Sequence, residues 1–455
     1  RGELTVRRLL VANRGEIAVR VIRAARDLGI ETVAVHSTAD GAAPHVRMAD
    51  VAVEIGPPQA TKSYLLTDAI LAAAKETGAD AVHPGYGFLS ERADFAKAVA
   101  DAGLAFVGPD ARVIDMMGDK VRARVAAAQA GVPTVPGTPE GVEDSAGALA
   151  AAEEVGYPVM LKAAAGGGGR GIRVVGDADE LRKAFGPASQ EAAKAFGDGR
   201  MYVERFVAKA RHVEVQVLGD GIDAVHLFDR ECSLQRRRQK MVEEAPAPGI
   251  GEEQRARITA DAVALVASVG YSSAGTVEFL VDDESGEHFF IETNTRIQVE
   301  HPVTELVTGI DLVAEQLRIA AGEALRIRQD DVAVRGHAIE FRVCAEDPER
   351  DFLPSPGRIE RVTLPGGPWV RCDTWLEPGG QVPPFYDSLL AKVIVWGEDR
   401  GTALARSRRA LAEFSVTGVP TTAGLFTELL DQEWFAAGAF TTGTLEEWLR
   451  ERAGR

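Results

Sequence analysis

The chain has 455 residues, of which 45% are hydrophobic and 26% are charged, a balance typical of a globular enzyme. Its formal net charge of −17 argues against nucleic-acid binding through a basic surface, and no apolar run approaches the roughly 20 residues needed to span a membrane. Three scattered cysteines exclude a disulfide framework and predict a reducing, cytoplasmic setting. The length predicts roughly two to four domains or lobes.

Residues 1–110 alternate between strand and helix patterns. Short apolar runs at residues 9–12, 32–35, 80–83 and 105–107 predict strands. Helical patterns cover residues 16–28, 65–77 and 91–102, and Gly29 is a plausible end for the first of them. Strands that alternate with helices are typical of a parallel, Rossmann-like sheet.

The pattern changes from about residue 118 onward. A helix is predicted at residues 120–130, and prolines at 133, 136 and 139 mark a linker. Strands are predicted at residues 159–162, 202–207 and 211–218, and a hairpin with Gly286 in its turn joins residues 277–281 to 288–291. Residues 338–455 mix short strands with a helix near 402–414. The whole chain is therefore predicted to be of the α/β and α+β classes.

A glycine-rich loop follows Lys162 and runs from Gly166 to Gly171. Consecutive glycines let the backbone approach a ligand closely and turn N–H groups toward phosphate oxygens. No Gly-Lys-Ser/Thr follows, so the loop is not a P-loop, and it lacks the GxGxxG context of a dinucleotide fold. A flexible surface connection is the alternative. Its place between two predicted strands favours a mobile phosphate lid.

Three oxygen-bearing side chains on the predicted hairpin favour a metal site. Glu292 and Asn294 are two residues apart and share one face of a strand, and strand pairing could bring Glu278 beside Glu292. Oxygen ligands without sulfur or imidazole fit Mg²⁺ or Mn²⁺, with nucleotide phosphates as further ligands. Carboxylates on a solvated strand face are the alternative, which the apolar flanking residues weaken.

Charged residues close to this hairpin suit a small anion. Lys240 ends a basic cluster that begins at Arg236, and Arg296 directly follows the hairpin. A guanidinium and an ammonium suit a planar anion such as bicarbonate. Glu300, four residues after Arg296, could act as a base that deprotonates it. Each residue alone is equally consistent with an ordinary surface charge, and their closeness to the hairpin favours a functional role.

Several longer strings resemble the biotin carboxylase component of biotin-dependent carboxylases, which belongs to the ATP-grasp enzymes. They lie at residues 13–18 (NRGEIA), 83–91 (HPGYGFLSE), 118–120 (GDK), 211–216 (RHVEVQ), 231–237 (ECSLQRR), 239–248 (QKMVEEAPAP) and 291–305 (IETNTRIQVEHPVTE). The resemblance extends over residues 7–449. It implies an ATP-grasp fold with an N-terminal Rossmann-like domain (1–118), an ATP-grasp domain (119–325) with a lid subdomain (about 135–206), and a C-terminal biotin carboxylase domain (338–455).

The same resemblance implies roles for individual residues. ATP contacts are implied for Lys120, Lys162, Gly167, Gly168, Gly169, Glu204, Arg205, Phe206, Val207, His212, Gln235, Arg238, Glu278, Leu280 and Glu292. Metal ligands are implied at Glu278, Glu292 and Asn294, and bicarbonate contacts at Lys240, Arg296, Gln298, Val299 and Glu300. The implied catalytic residues are Arg296, Glu300, Lys240 and Arg342, and the implied biotin contacts are Tyr86 and Arg342.

The implied reaction uses ATP and Mg²⁺ or Mn²⁺ to convert bicarbonate to carboxyphosphate, whose CO₂ then carboxylates biotin. Biotin would be a carrier-bound substrate, because the chain has no Met-Lys-Met string. We expect as partners a biotin carboxyl carrier protein or domain, a carboxyltransferase subunit and a second copy in a homodimer. An acetyl-CoA or propionyl-CoA carboxylase alpha chain is favoured, and pyruvate carboxylase stays open.

Three other classes of function compete with this interpretation. Another ATP-grasp ligase, such as a carbamoyl-phosphate-forming enzyme, is disfavoured by the strings around Lys240 and Arg296. A nicotinamide oxidoreductase is disfavoured because the first turn lacks GxGxxG. A non-catalytic nucleotide sensor is disfavoured because every charged position needed for catalysis is present. One departure from the family is Arg238, where a histidine is common, and an arginine cannot act as a neutral acceptor there.

Overall fold

A computed structural model describes residues 6–164 and 172–454 of the chain. They form two compact units, one of Arg1–Val132, Arg211–Val281 and Glu292–Arg455 and the other of Pro133–Ala210 and Asp282–Ile291. The predicted lid subdomain falls within the second unit, and the other domain limits stay predictions. Gly167, Gly168 and Gly169, to which ATP contacts were assigned, lie outside the described residues.

The first unit begins with a parallel five-stranded sheet, as the alternating pattern predicted. Its strands are β1 (Arg8–Val11), β2 (Glu31–Ser37), β3 (Val51–Gly56), β4 (Ala81–His83) and β5 (Ala105–Phe106), in the order β3-β2-β1-β4-β5. Its helices are α1 (Gly15–Asp27), α2 (Pro44–Met48), α3 (Thr67–Thr77), α4 (Ala93–Asp101), α5 (Ala111–Gly118) and α6 (Lys120–Gln129). Strand β1 is apolar and buried because helices cover both faces of such a sheet.

The second unit contains a small antiparallel sheet in the order β7-β6-β8. Its elements are α7 (Ser145–Val155), β6 (Val159–Ala163), β7 (Arg173–Val175), α8 (Ala178–Phe196) and β8 (Met201–Arg205). The apolar side chains of both helices and all three strands form one buried cluster. The strand predicted at residues 202–207 ends at Arg205, so Phe206 and Val207 lie beyond it.

An eight-stranded sheet dominates the rest of the first unit, in the order β13-β12-β9-β10-β11-β14-β21-β19. The strands after β8 are β9 (Ala210–Asp220), β10 (Ala224–Arg236), β11 (Gln239–Ala245), β12 (Ser272–Asp282), β13 (His288–Asn294), β14 (His337–Cys344), β15 (Glu346–Asp347), β16 (Leu353–Pro354), β17 (Gly357–Arg358), β18 (Arg361–Thr363), β19 (Val370–Thr374), β20 (Gln381–Val382), β21 (Leu389–Gly397) and β22 (Ser415–Thr417). The helices are α9 (Glu252–Ser268), α10 (His301–Thr308), α11 (Leu312–Ala320), α12 (Arg400–Glu413), α13 (Ala423–Leu430), α14 (Glu433–Ala436) and α15 (Thr444–Ala453).

Strand β14 is buried on both faces, which determines where the site lies. Ile339, Phe341 and Val343 point into an apolar cluster that α12 completes. Glu340 and Arg342 alternate with them and therefore occupy the opposite face, on which α10 packs. Charged side chains are thus enclosed between the sheet and a helix. No helix among the described residues is long and apolar enough to cross a membrane.

A two-residue turn joins β10 to β11, because Arg236 pairs directly with Gln239. The turn residues Arg237 and Arg238 have φ angles of 47° and 66°, the left-handed conformation that this hairpin type requires. Arg236 and Arg237 both form ion pairs with Asp351, at 2.7 and 2.8 Å. The basic cluster noted in the sequence is therefore a hairpin tip, two of whose arginines have an acidic partner.

Candidate active site

The centre of the candidate site is Lys240, which lies on β11 and is surrounded by carboxylates. Its Nζ atom is 2.6 Å from Glu214 on β9, 3.0 Å from Glu278 on β12 and 2.7 Å from Glu300. Burial alone would lower the pKa of Lys240, but the three negative charges raise it well above its usual value. The ammonium group therefore stays charged and links three separate parts of the chain.

Glu300 is fully buried just before α10, and cations hold both of its oxygens. Oε1 accepts a hydrogen bond from Lys240 at 2.7 Å, and Oε2 accepts one from Arg342 at 2.8 Å. Burial alone would raise the pKa of Glu300, but the charges of Lys240 and Arg342 outweigh burial and hold the pKa well below its usual value. Glu300 is therefore ionised at neutral pH.

Arg342 also lies 2.5 Å from the buried carboxylate of Glu243 on β11. Burial raises the pKa of Glu243 to about 7, although the charge of Arg342 opposes the rise. Arg342 thus bridges two buried carboxylates, of which Glu300 is ionised and Glu243 titrates near neutrality. The structure brings Arg342 into contact with Glu300, and the catalytic and biotin roles of Arg342 stay predictions.

The three predicted metal ligands lie on the neighbouring strands β12 and β13, Glu278 in the middle of β12 and Glu292 and Asn294 near the end of β13. Asn294 Nδ2 donates a hydrogen bond to Glu278 Oε1 at 2.8 Å, and Asn294 Oδ1 accepts one from Arg296 at 3.1 Å. Burial and then the charge of Glu278 raise the pKa of Glu292, while the charge of Lys120 opposes the rise. A pair of repelling carboxylates and one amide oxygen is a donor set that fits Mg²⁺ or Mn²⁺.

Two other groups of ligand-type side chains lie close together in the described part of the chain. Within each group the ligand atoms are within 4.8 Å of one another, and the groups are His212, Glu214 and Glu278, and Glu214, Cys232 and Glu300. Lys240 already contacts Glu214, Glu278 and Glu300 and supplies the positive charge between them. These groups therefore need no metal ion for charge balance.

The residues predicted to hold bicarbonate form a loop at 296–300 between β13 and α10. Arg296 donates hydrogen bonds to Glu91 at 2.9 Å and to the side-chain oxygen of Gln298 at 3.0 Å. Burial alone would lower the pKa of Arg296, but Glu91 and other acidic groups raise it. The Val299 carbonyl accepts a hydrogen bond from Lys392 at 2.8 Å. The loop is therefore held by side chains at both of its ends.

Tyr86, assigned to biotin, lies in the turn that follows β4. Its hydroxyl donates a hydrogen bond to the carboxylate of Glu16 on α1, and its backbone carbonyl accepts one from Asn13 at 2.7 Å. Burial and the neighbouring charge of Glu16 raise the pKa of Tyr86 well above its usual value. The phenol therefore stays protonated and serves as a hydrogen-bond donor.

Five residues of the first unit were assigned to the nucleotide in addition to the carboxylates. Gln235 Nε2 lies 2.7 Å from His212 Nδ1, and His212 Nε2 lies 2.9 Å from Glu278, which links these residues to the acidic centre. Burial alone would lower the pKa of His212, but Glu278 raises it. Lys120 is exposed at the start of α6, Leu280 is half-buried on β12, and Arg238 is exposed in the hairpin turn.

The second unit carries the remaining nucleotide assignments. Lys162 on β6 forms an ion pair with the buried carboxylate of Glu204 on the neighbouring strand β8. Arg205 pairs with Glu287 at 3.1 Å. Phe206 donates its backbone N–H to Pro158 at 3.1 Å, and Val207 is buried. These contacts lie within the unit, and the nucleotide roles of its residues stay predictions.

Sequence reasoning missed four buried charges that hold the site together, namely Glu214, Arg230, Glu243 and Lys392. Arg230 is fully buried on β10 and donates to Glu214 and Gln216, each at 2.6 Å. It also donates to the hydroxyl of Thr304 on α10 at 2.9 Å. Glu214 and Lys392 alternate with apolar residues in the sequence, a pattern typical of a strand with one face in water. The available signal was that Glu214 and Glu243 lie inside the family strings, whereas Arg230 and Lys392 lie outside them.

We expect Arg230→Met to destabilise the fold by about 3–5 kcal/mol, because it leaves the buried Glu214 carboxylate without one of its two cations. The measurement is the denaturant midpoint of unfolding for the wild type and the variant. Arg257→Met is the control, since Arg257 pairs with Glu253 at the surface and such pairs contribute about 1 kcal/mol or less. Equal midpoints for the two variants would contradict the structural role given to Arg230.

Models of known families match three consecutive parts of the chain. The Biotin carboxylase, N-terminal domain matches residues 5–114, and the Biotin carboxylase C-terminal domain matches residues 340–447. Between them, the Carbamoyl-phosphate synthase L chain, ATP binding domain matches residues 119–328. The two flanking matches favour biotin carboxylase over the carbamoyl-phosphate-forming alternative.

Similar proteins extend this result over nearly the whole chain. A biotin carboxylase of Pseudomonas aeruginosa is 55% identical over 97% of this chain and 98% of its own length. The propionyl-CoA carboxylase alpha chain of Ruegeria pomeroyi is 47% identical over 97% of this chain and 68% of its own length.

A solved structure of the biotin carboxylase domain dimer of Hydrogenobacter thermophilus 2-oxoglutarate carboxylase is also similar. It contains MgADP, ADP and bicarbonate, has a TM-score of 0.89 and 47% sequence identity, and covers 97% of both chains. The fold likeness confirms the predicted ATP-grasp architecture. This chain belongs to the biotin carboxylase family of ATP-grasp enzymes, ATP-dependent ligases that carboxylate biotin.

Proposed function

We propose that this chain catalyses the first half-reaction of an acyl-CoA carboxylase that acts on acetyl-CoA or propionyl-CoA. In that step ATP and bicarbonate carboxylate a biotin that a carrier protein or domain presents. The likeness to the propionyl-CoA carboxylase alpha chain of Ruegeria pomeroyi supports an acyl-CoA acceptor. A pyruvate or other 2-oxoacid carboxylase is the second candidate, which the likeness to the 2-oxoglutarate carboxylase domain favours.

The observation that carries the proposal is the buried Glu300 between two cations, Lys240 and Arg342. Bicarbonate that binds near the 296–300 loop would compete with Glu300 for the Lys240 ammonium group. Loss of that cation raises the proton affinity of the Glu300 carboxylate, so Glu300 becomes a base when the anion has arrived. Arg296, whose guanidinium lies at the start of the same loop, would stabilise the negative charge that develops on biotin.

The remaining assigned residues would bind the nucleotide and its metal ion. Glu278, Glu292 and Asn294 would hold Mg²⁺ or Mn²⁺, which neutralises phosphate charge when it is bound. His212 and Gln235 orient the Glu278 carboxylate and would contact ATP from the same side. Lys120 brings a positive charge to Glu292. Tyr86 donates its one proton to Glu16, so its oxygen would accept a hydrogen bond from an N–H of the biotin ring.

The expected partners are a biotin carboxyl carrier protein or domain, a carboxyltransferase subunit and a second copy of this chain. The relative from Hydrogenobacter thermophilus was solved as a dimer, which supports the homodimer proposal. The proposed location is the cytoplasm, which the three free cysteines support. Size measurement of the purified chain tests the dimer directly.

The test of the half-reaction is ADP release by the purified chain with and without bicarbonate and free biotin. We expect ADP formation to rise when both are present, because the site couples phosphoryl transfer to carboxylation. A transfer-blocked control uses an ATP analogue whose γ-phosphate cannot be transferred. ADP formation that depends on neither bicarbonate nor biotin would contradict the proposal and favour another ATP-grasp ligase.

The acceptor is tested by combining the chain with purified carrier and carboxyltransferase components that use acetyl-CoA, propionyl-CoA or pyruvate. We expect labelled carboxylate from bicarbonate to reach an acyl-CoA faster than pyruvate. Faster transfer to pyruvate would overturn the acyl-CoA assignment and leave the half-reaction unaffected.

A further inference from the structure

We propose that Lys392 is a positioning residue that fixes both the 296–300 loop and the Tyr86 hydroxyl. The inference rests on the proposed function, in which that loop holds bicarbonate and Tyr86 contacts biotin. Lys392 is fully buried on β21 and belongs to none of the strings that pointed to the family. It would act through Val299 and Tyr86, with no contact of its own to the reacting atoms.

The contacts of the Lys392 ammonium group run in two directions. Nζ donates a hydrogen bond to the Val299 carbonyl at 2.8 Å, one residue before Glu300. It also lies 3.2 Å from Glu16 Oε1, the same oxygen that accepts the Tyr86 hydroxyl. One ammonium group therefore joins the backbone of the bicarbonate loop to the side chain assigned to biotin.

The sheet register explains how Lys392 reaches this place. Lys392 on β21 is the direct partner of Arg342 on β14, so the two side chains share one face of the sheet. Arg342 holds the Glu300 carboxylate and Lys392 holds the Val299 carbonyl. Neighbouring cations on adjacent strands thus hold two consecutive residues of the loop. That arrangement fixes both the position and the rotation of the peptide between Val299 and Glu300.

Two like charges directly opposite each other in a sheet repel, so Lys392 and Arg342 need negative charges close to them. For Lys392 these are Glu16 and Asp373, whose Oδ2 is 3.8 Å away. Glu340 lies on the same face of β14, but burial raises the pKa of its carboxyl well above the usual value, so the compensation comes from Glu16 and Asp373. Burial alone would lower the pKa of Lys392, but these acidic groups raise it. The ammonium group keeps its charge and therefore keeps all three hydrogens for donation.

A buried lysine could instead serve stability alone, and kinetics separate the two roles. If Lys392 positions the loop and Tyr86, its loss weakens substrate binding selectively. We expect Lys392→Met to raise KM for bicarbonate about tenfold or more and to raise KM for free biotin, with KM for ATP changed less than about twofold. ADP release with each substrate varied in turn gives the three values.

Arg255→Met is the matched control, because Arg255 pairs with the buried Asp229 at 2.6 Å. The substitution removes a comparable ion pair, and the Arg255 side chain contacts none of the residues assigned to the site. We expect Arg255→Met to lower the melting temperature and to leave all three KM values within about twofold of the wild type. If Lys392→Met behaves in the same way, the positioning role is wrong.

Two further variants keep the test decisive if Lys392→Met does not fold. Lys392→Arg retains the charge. We expect its KM for bicarbonate to lie above the wild-type value but to rise less than the roughly tenfold increase expected for Lys392→Met. Glu16→Gln retains an oxygen for Tyr86 but weakens its link to Lys392, so KM for biotin should rise while KM for bicarbonate changes less than about twofold. Unchanged KM values in both variants would overturn the proposal. A wild-type chain whose ADP release ignores bicarbonate and biotin would instead contradict the proposed function itself.

Discussion

Arg296→Ala is expected to lower carboxybiotin formation at least about 100-fold while ATP binding stays close to that of the wild type. The guanidinium donates to Glu91, Gln298 and Asn294, so its loss removes a fixed cation from the start of the 296–300 loop. Alanine leaves the loop without the group that would stabilise the charge on biotin. Nucleotide affinity should persist, because Lys120, His212 and Gln235 are untouched.

Two measurements on the same preparation test this expectation. Labelled bicarbonate incorporation into biotin reports the chemistry, and ATP titration monitored by intrinsic fluorescence reports nucleotide binding. Arg257→Ala is the control, since Arg257 is exposed and pairs with Glu253 at the surface. If Arg296→Ala carboxylates biotin at a rate within about threefold of the wild-type rate, the role given to Arg296 is wrong.

Glu300→Gln is expected to lower kcat/KM for bicarbonate at least about 100-fold. Glutamine fills the same volume but cannot accept the proton of bicarbonate as a carboxylate does. The substitution also leaves Lys240 and Arg342 with one fewer carboxylate between them. Asp229→Asn is the matched control, because it neutralises a buried carboxylate that pairs with Arg255 outside the site. Similar losses in both variants would indicate a general effect of buried charge.

The pH dependence of stability gives an independent check on Glu300. Its pKa in the folded chain lies well below the ordinary value of 4.5, so its ion pairs contribute stability that is fully present above that value. The contribution is lost as the pH falls through the lower folded pKa. The stability difference between wild type and Glu300→Gln should therefore shrink as the pH falls below about 4.5. A difference that stays the same in stronger acid would contradict the contacts of Glu300.

The parts of the site that could be predicted lie on continuous segments with a clear local pattern. The parallel N-terminal sheet follows from alternating strand and helix patterns, and the hairpin that carries Glu278 and Asn294 follows from its turn. Strands β12 and β13 are neighbours in the sheet, as predicted, and the residue of β13 that contacts Glu278 is Asn294, at 2.8 Å. The family strings predict that Lys240, Arg296 and Glu300 belong to one site, and Lys240 contacts Glu300 at 2.7 Å.

The charged network between the sheet and α10 could not be predicted from local patterns. In β14 the sequence alternates apolar residues with Glu340 and Arg342, which is the pattern of a strand with one face in water. Only the packing of α10 shows that this face is covered. The pairing of Arg342 with Lys392 depends on the order of non-consecutive strands, which no window of neighbouring residues contains. The conformation of Arg238 likewise depends on the register of β10 and β11.

The way in which Lys392 and Arg342 hold Val299 and Glu300 has a consequence for biosynthesis. When a growing chain has emerged from the ribosome only as far as α11, it already contains every proposed metal ligand and Lys240. The loop between β13 and α10 still lacks both cations from β14 and β21 at that stage. The 296–300 loop can therefore take up its full set of contacts only after β21 has been made and has joined the sheet.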